Sequence, residues 1–175
     1  MERPSEGEPL EIERKYLIRR PDRAELERRS VRRIEITQTY LNRGPAGETR
    51  RVRRSRDGAE RWFYTEKLRQ SDLVRVERER EISPEEAARL LLQADGERRP
   101  IQKERWCVPW DGHTLEIDLF PFWEDRAYCE VELRSPEDRV ELPAWLSVIR
   151  EVTDDPRYTN SALAREIPMD SLPGM

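Results

Sequence analysis

The chain has 175 residues, enough for one domain with a full core and short for two. Charged residues make up 40%, against about 25% in an ordinary globular protein, yet 33 basic and 37 acidic side chains nearly cancel to a net charge of −4. That balance lacks the basic excess of a nucleic-acid binder, no apolar run approaches the roughly 20 residues of a membrane helix, and an apolar fraction of 35% argues against a disordered chain.

Residues 1–9, polar and without an apolar signal core, are expected as a disordered tail. Residues 10–19 alternate charged with mostly apolar side chains, the period-2 signature of a strand. Residues 21–29 favour a helix with Pro21 at its start. Residues 33–42 are β-branched and aromatic and run into the Gly44-Pro45 turn. Strands at 48–56 and 60–68 flank Asp57-Gly58, a strong hairpin signal, and 73–82 is a further alternating strand. Ser83-Pro84-Glu85-Glu86 is a capped helix start, because the Ser83 hydroxyl accepts a backbone N–H and Pro84 needs no donor there. That helix stops before Gly96. Strand patterning resumes at 101–110, turns at Asp111-Gly112, and continues through 114–120 and 127–134. Two short helical pieces, 144–150 and 160–166, precede a C-terminal tail at 167–175. The expected fold class is α+β, mainly β, with about eight antiparallel strands in one domain over 10–166. Cys107 and Cys129 show neither a disulfide framework nor zinc spacing, so they are expected as reduced thiols of a cytoplasmic protein. His113 sits in a turn and is given no role.

The charges fall on the strands in a particular way. Side chains two apart on a strand share a face. One parity carries Glu11, Glu13 and Lys15; then Arg51 and Arg53; then Lys67; then Arg75, Glu77, Glu79 and Glu81; then Lys103 and Arg105; then Glu116 and Asp118; then Glu130 and Glu132. The other parity carries Ile12, Tyr16, Ile18, Val52, Val74, Val76, Leu115, Ile117, Val131 and Leu133. A charged face is commonly the wet side of a sheet. Here, however, the signs are segregated by strand, and clustered like charges repel unless something of opposite sign lies between them. If the sheet closes, the charged face becomes a lumen. Divalent cations would then balance the carboxylates, and a polyanion the Arg and Lys set. With no His or Cys cluster the metal ligands would all be oxygens, which favours Mg²⁺ or Mn²⁺. Arg and Lys suit phosphate, and metals facing clamped phosphates fit metal-assisted phosphoryl transfer.

The pentapeptide Glu11-Ile12-Glu13-Arg14-Lys15 is an E-x-E-x-K motif. It is followed in order by Gln38-x-Tyr40-Leu41, Arg51-Val52-Arg53, Thr65-x-Lys67, Arg75-x-Glu77-x-Glu79, Ile101-x-Lys103-x-Arg105, Glu116-x-Asp118-x-Phe120, Glu130-x-Glu132-Leu133 and the stretch EVTDDPRYTNSAL at 151–163. This ordered set resembles the CYTH superfamily, the triphosphate tunnel metalloenzymes, in its small bacterial branch. The resemblance implies an eight-stranded antiparallel β-barrel, closed or partly open, with a charged lumen and a few outer helices. It also implies a metal-dependent triphosphatase using Mg²⁺ or Mn²⁺. By position Glu11, Glu13, Asp118, Glu130 and Glu132 resemble the metal carboxylates. Lys15, Arg51, Arg53, Lys67, Arg75, Lys103 and Arg105 resemble the phosphate clamp. Glu77 and Glu79 resemble carboxylates near a second metal and the attacking water, and Tyr40 resembles a tyrosine that such members pair with the motif lysine, here Lys15.

The leading expectation is hydrolysis of inorganic triphosphate, with nucleoside triphosphates as secondary substrates. An adenylyl cyclase, a thiamine triphosphatase and a non-catalytic triphosphate sensor are the alternatives. Trp62, Trp106, Trp110 and Trp123 are the candidates for stacking on a base, against the simpler role of wall or core. The expected partner is a small-molecule triphosphate, without nucleic acid or membrane; a homodimer is left open.

Overall fold

Alternation of charged and apolar side chains along the strands gives the sheet one charged and one apolar face. The computed structural model describes residues 10–71 and 73–174, so the expected N-terminal tail lies outside the described residues. In chain order the strands are β1 (Leu10–Arg19), β2 (Arg32–Tyr40), β3 (Thr49–Asp57), β4 (Ala59–Arg69), β5 (Val74–Ile82), β6 (Ile101–Trp110), β7 (His113–Leu119), β8 (Arg126–Glu132) and β9 (Val148–Glu151). Among the described residues α1 (Arg23–Arg29) and α2 (Pro84–Leu91) lie between strands, and a 3-10 turn at Pro156–Tyr158 and α3 (Asn160–Leu163) follow β9. The strand order is β5-β4-β3-β2-β6-β7-β8-β1-β9, all pairs antiparallel, and a β5–β1 pairing closes the first eight strands. The seam is short, with Leu10, Glu11 and Ile12 opposite Val76, Arg75 and Val74. Farther along the same edge of β1, β9 takes over, with Tyr16 opposite Glu151 and Leu17 opposite Arg150.

Paired residues on neighbouring strands share a face. The register therefore sets which side chains enter the lumen. Lys15 lies opposite Glu130, which lies opposite Glu116, which lies opposite Cys107. Tyr40, Arg51, Thr65 and Glu79 form a second such row.

The outward faces hold most of the core. Ile18, Leu115, Ile117 and Val131 are fully buried together with Leu26 of α1 and Leu146. Each such side chain contributes about 1.5–3 kcal/mol by leaving water. On the opposite wall Val52, Tyr64 and Ile82 pack against Ala87 of α2. The Ser83 hydroxyl caps α2 by accepting from the Glu86 N–H at 3.1 Å, as the sequence implies. A third cluster fills one end of the lumen, where Leu17, Ile101, Phe120 and Tyr128 meet Trp123, Tyr158 and Leu163. The barrel thus has a charged middle and an aromatic floor.

One element differs from expectation. The stretch 144–150, expected as helix, yields a turn and then β9. Its β-branched Val148-Ile149 pair meets the edge of β1 that β5 leaves open, and pairing there overrides local helix preference. The other short helix forms as α3, with the Thr159 hydroxyl accepting from the Ala162 N–H. Beyond it the chain folds back onto the barrel, where the Trp123 indole donates to the Pro168 carbonyl at 3.0 Å and Leu172 is buried. Among the described residues no helix is long and apolar enough to cross a membrane.

Candidate active site

The lumen holds a cavity of about 400 Å³ whose lining includes eight Lys or Arg and seven Glu side chains. Tyr40, Thr49, Thr159, Asn160 and Ser161 complete it, so every lining residue is charged or polar. Of the sequence-derived site residues, Glu11, Glu13, Lys15, Tyr40, Arg51, Arg53, Lys67, Arg75, Glu77, Glu79, Arg105, Glu130 and Glu132 all face this one space.

Alternate positions of β3 place Arg51 and Arg53 on the lumenal face, and both are largely buried. Gln38 Oε1, from the neighbouring strand, accepts from Arg53 Nε at 3.2 Å and from its Nη2 at 3.1 Å. Arg51 and Arg53 reach Glu77 and Glu79 only at 3.9 and 3.7 Å. These separations exceed hydrogen-bonding distance. Burial, together with the nearby Arg51 and Arg105, lowers the Arg53 guanidinium to about 10. A cation held under such crowding favours an arriving anion.

The carboxylates show the mirror-image frustration. Glu13 of β1 lies opposite Glu132 of β8, and like charges in that relation destabilise a sheet. Among the described residues Glu13 has no ion pair of its own. Burial, with Glu130 and Glu11 beside it, raises its carboxyl to about 8. Burial, with Glu11 and Glu116, also raises Glu132. Glu77 is raised to about 7 by burial, opposed by Lys67 and reinforced by Glu11. Glu11 goes the other way: burial is outweighed by Lys67, whose ammonium stands 2.8 Å away, and the group falls to about 2.

An all-oxygen set of mutually repelling carboxylates suits a hard divalent cation, and the uncompensated Glu13–Glu132 pair is where a positive charge is missing. Among the described residues no three Asp, Glu, His or Cys side chains converge as a ready-made metal cage. Instead Glu11 turns to Lys67, Glu116 to Arg105 at 2.5 Å, and Glu130 to Lys15 at 3.3 Å. Binding a metal would release those side chains from their basic partners.

Two residues lie off the cavity wall. The resemblance places Asp118 among the metal carboxylates, but its side chain is fully buried beneath the cavity with both oxygens engaged. Lys103 Nζ donates to Oδ2 at 2.7 Å, while Arg105 Nε and Nη2 donate to Oδ1 and Oδ2 at 2.8 and 2.9 Å. Asp118 therefore aims Arg105, which does line the cavity. Burial, reinforced by Arg105 and opposed by Asp118, lowers Lys103 to about 7.

Lys15 is held at the deep end. Its ammonium donates to the Tyr158 carbonyl at 3.2 Å, pairs with Glu130 and lies 4.9 Å from the Tyr128 ring centre. Tyr40 stands opposite Arg51 on the neighbouring strand, with the Arg98 guanidinium 5.7 Å from its ring. The two residues the resemblance pairs are thus each engaged with other partners.

Several lining residues have no role assigned from the sequence. Glu116 shares the lumenal parity of Asp118, so the charge ladder held its signal. Thr159, Asn160 and Ser161 belong to the stretch at 151–163, but their approach depends on the fold-back of α3 over the barrel. Arg43, Thr49 and Arg69 carry no signal beyond charge or strand position. None of the four tryptophans expected as stacking candidates lines the cavity. Trp106 and Trp110 belong to the outer core, Trp123 to the floor, and Trp62 packs near α2.

Comparison with known proteins supports the architecture. A model of the CYTH domain matches residues 9–158. The inorganic triphosphatase of Nitrosomonas europaea is 33% identical over 164 residues, spanning 90% of this chain and 99% of its own. That of Acetivibrio thermocellus is 33% identical over 105 residues, 59% of this chain and 65% of its own length. A crystal structure of an inorganic triphosphatase superposes with a TM-score of 0.55 at 29% identity, covering 90% of this chain and 96% of that one. A Pyrococcus horikoshii protein, 24% identical with a TM-score of 0.54, covers 73% of this chain and 81% of its own, and shares the fold. With most of its length matched and its charged lumen closed by the register just described, the chain belongs to the CYTH family.

Proposed function

We propose that this chain is an enzyme that hydrolyses inorganic triphosphate in the barrel lumen, with Mg²⁺ or Mn²⁺ as cofactor. The observation that carries the reading is the composition of the cavity wall: eight cationic and seven carboxylate side chains, with Tyr40 the one aromatic among the described lining residues. A nucleoside or thiamine moiety would be expected to meet apolar or aromatic surface; a bare phosphate chain needs only charge and hydrogen bonds. The relatives named inorganic triphosphatase support the same substrate.

In this reading Arg51, Arg53, Lys67, Arg75 and Arg105 grip phosphate oxygens, the guanidiniums as two-pronged donors and Lys67 as a point charge. Lys103 contributes from behind, through Asp118 and Arg105. Glu11, Glu13, Glu130 and Glu132 would hold the metal, with Glu77 and Glu79 close to a second position. A bound divalent cation would supply charge neutralisation and a more acidic water. Water attacks the terminal phosphorus in line, and a Glu77 carboxylate oxygen takes its proton. The clamp holds the departing diphosphate as its charge grows.

Phosphate release from inorganic triphosphate, ATP and thiamine triphosphate, each with Mg²⁺, with Mn²⁺ and with excess chelator, tests the proposal. Metal-dependent turnover fastest on inorganic triphosphate is expected. Turnover that prefers thiamine triphosphate, or that yields cyclic AMP from ATP, would overturn it.

A further inference from the structure

A second cavity, of about 360 Å³, opens where the barrel wall loses a strand. The last pair between β6 and β7 is Glu104 opposite Leu119. Gln102 and Lys103 lie beyond it, and both line this second space together with Phe120 and Pro121. Its charged lining is unlike that of the lumen. Five side chains are basic, Arg20, Arg23, Arg54, Arg56 and Lys103, against two carboxylates, Glu35 and Glu104.

The carboxylates are already taken. Glu104 accepts from Arg23 at 3.0 Å, from the Trp106 indole at 2.8 Å and from Arg33, which also reaches Glu35 at 3.3 Å. Arg56 pairs with Glu60 at 2.9 Å. Arg20 and Arg54 are left over. Arg20 donates to the Trp123 carbonyl at 2.7 Å and the Phe120 carbonyl at 3.3 Å, acceptors that fix its position without cancelling its charge. Arg54 lies 5.9 Å from the Trp62 ring centre and has no carboxylate partner among the described residues. One guanidinium is anchored and one is held against an aromatic face, both on the wall of one cavity and both lacking a carboxylate partner among the described residues.

We infer that this second cavity is a site for a multiply charged anion of the phosphate class, orthophosphate or diphosphate, bound without a metal. The contrast between the two cavities carries the argument. In the lumen seven carboxylates stand among the eight cations, with Arg51 and Arg53 3.9 and 3.7 Å from Glu77 and Glu79. In the second cavity the basic excess stands by itself, and arginine forks with the neutral donors Thr37 and Gln102 suit phosphate oxygens. The site also touches the lumen, because Lys103 lines it while donating to Asp118, the residue that aims Arg105.

The test is metal-free binding, measured by ³¹P NMR titration of orthophosphate and, separately, diphosphate in excess chelator. Wild-type protein should bind at least one of the two saturably at a single site. Arg54→Glu should weaken that binding by about tenfold or more, the loss of a charge-assisted hydrogen bond. Arg54→Lys, which keeps the charge, should bind within about threefold of wild type, consistent with loss of only the fork geometry. Arg51→Ala, which alters the lumen alone, should bind as wild type does. Absence of saturable metal-free binding, or binding that falls in Arg51→Ala and survives in Arg54→Glu, would overturn the inference. Because chelator silences the proposed hydrolysis, this result stands or falls independently of the substrate reading.

Discussion

Glu13 and Glu132 face each other across the β1–β8 pairing, two carboxylates on one lumenal row with no ion pair to Glu13 among the described residues. The barrel holds this repulsion by keeping Glu13 protonated, with its carboxyl raised to about 8 by burial and by Glu130 and Glu11. Stability of the metal-free protein should therefore depend on pH in a definite direction.

Glu13 and Glu77, raised to about 8 and about 7, keep protons in the folded chain that an unfolded carboxyl releases near 4.5. Their contribution is complete below about pH 4.5 and is lost as pH rises toward 8. Lys103, lowered to about 7 by burial and Arg105, acts oppositely above pH 7: the unfolded lysine keeps its proton up to about 10.5, so stability recovers with further rise. Thermal melts in chelator should show a minimum near pH 7 to 8, and Glu13→Gln should flatten the descent into it. Melting temperatures that climb steadily from pH 5 to 8 would contradict this.

Asp118 links Lys103 and Arg105 in a fully buried cluster. Removing one member of such a cluster strands the others, at a cost of about 3–5 kcal/mol. Asp118→Ala should lower the unfolding free energy measured by urea titration by that amount even without metal. A stable Asp118→Ala that loses only metal affinity would return Asp118 to the metal set.

Gln38 accepts twice from Arg53 and so aims it into the lumen. Gln38→Leu removes hydrogen bonds to a charged group, each about 1.5–3 kcal/mol. The variant should raise KM for triphosphate about tenfold or more while kcat changes less. An unchanged KM would show that Arg53 is positioned by other contacts.

Much of this was legible in the sequence because the barrel is written in a period of two. Glu11, Glu13 and Lys15 share a face on β1 whatever their neighbours are, and the same parity rule carries Arg51, Arg53, Glu130 and Glu132 into the lumen. Depth is what parity leaves out. Asp118 and Glu116 occupy the same face of β7, yet one is sealed under Lys103 and Arg105 and the other lines the cavity, because the aromatic floor begins at Phe120. β9 was hidden for a related reason: Val148 and Ile149 become a strand only where β5 has left the β1 edge open. The second cavity also has no local signature, since Arg20 and Arg54 are brought together by closure of the barrel.

Hydrolysis of inorganic triphosphate in ¹⁸O-water with Mg²⁺ or Mn²⁺ tests the central claim most directly, with the products resolved by mass spectrometry. Water attack at the terminal phosphorus within the Arg and Lys clamp predicts one labelled oxygen in the released orthophosphate and none in the diphosphate, with no turnover after chelation. Label in the diphosphate, or turnover that persists without metal, would contradict the account.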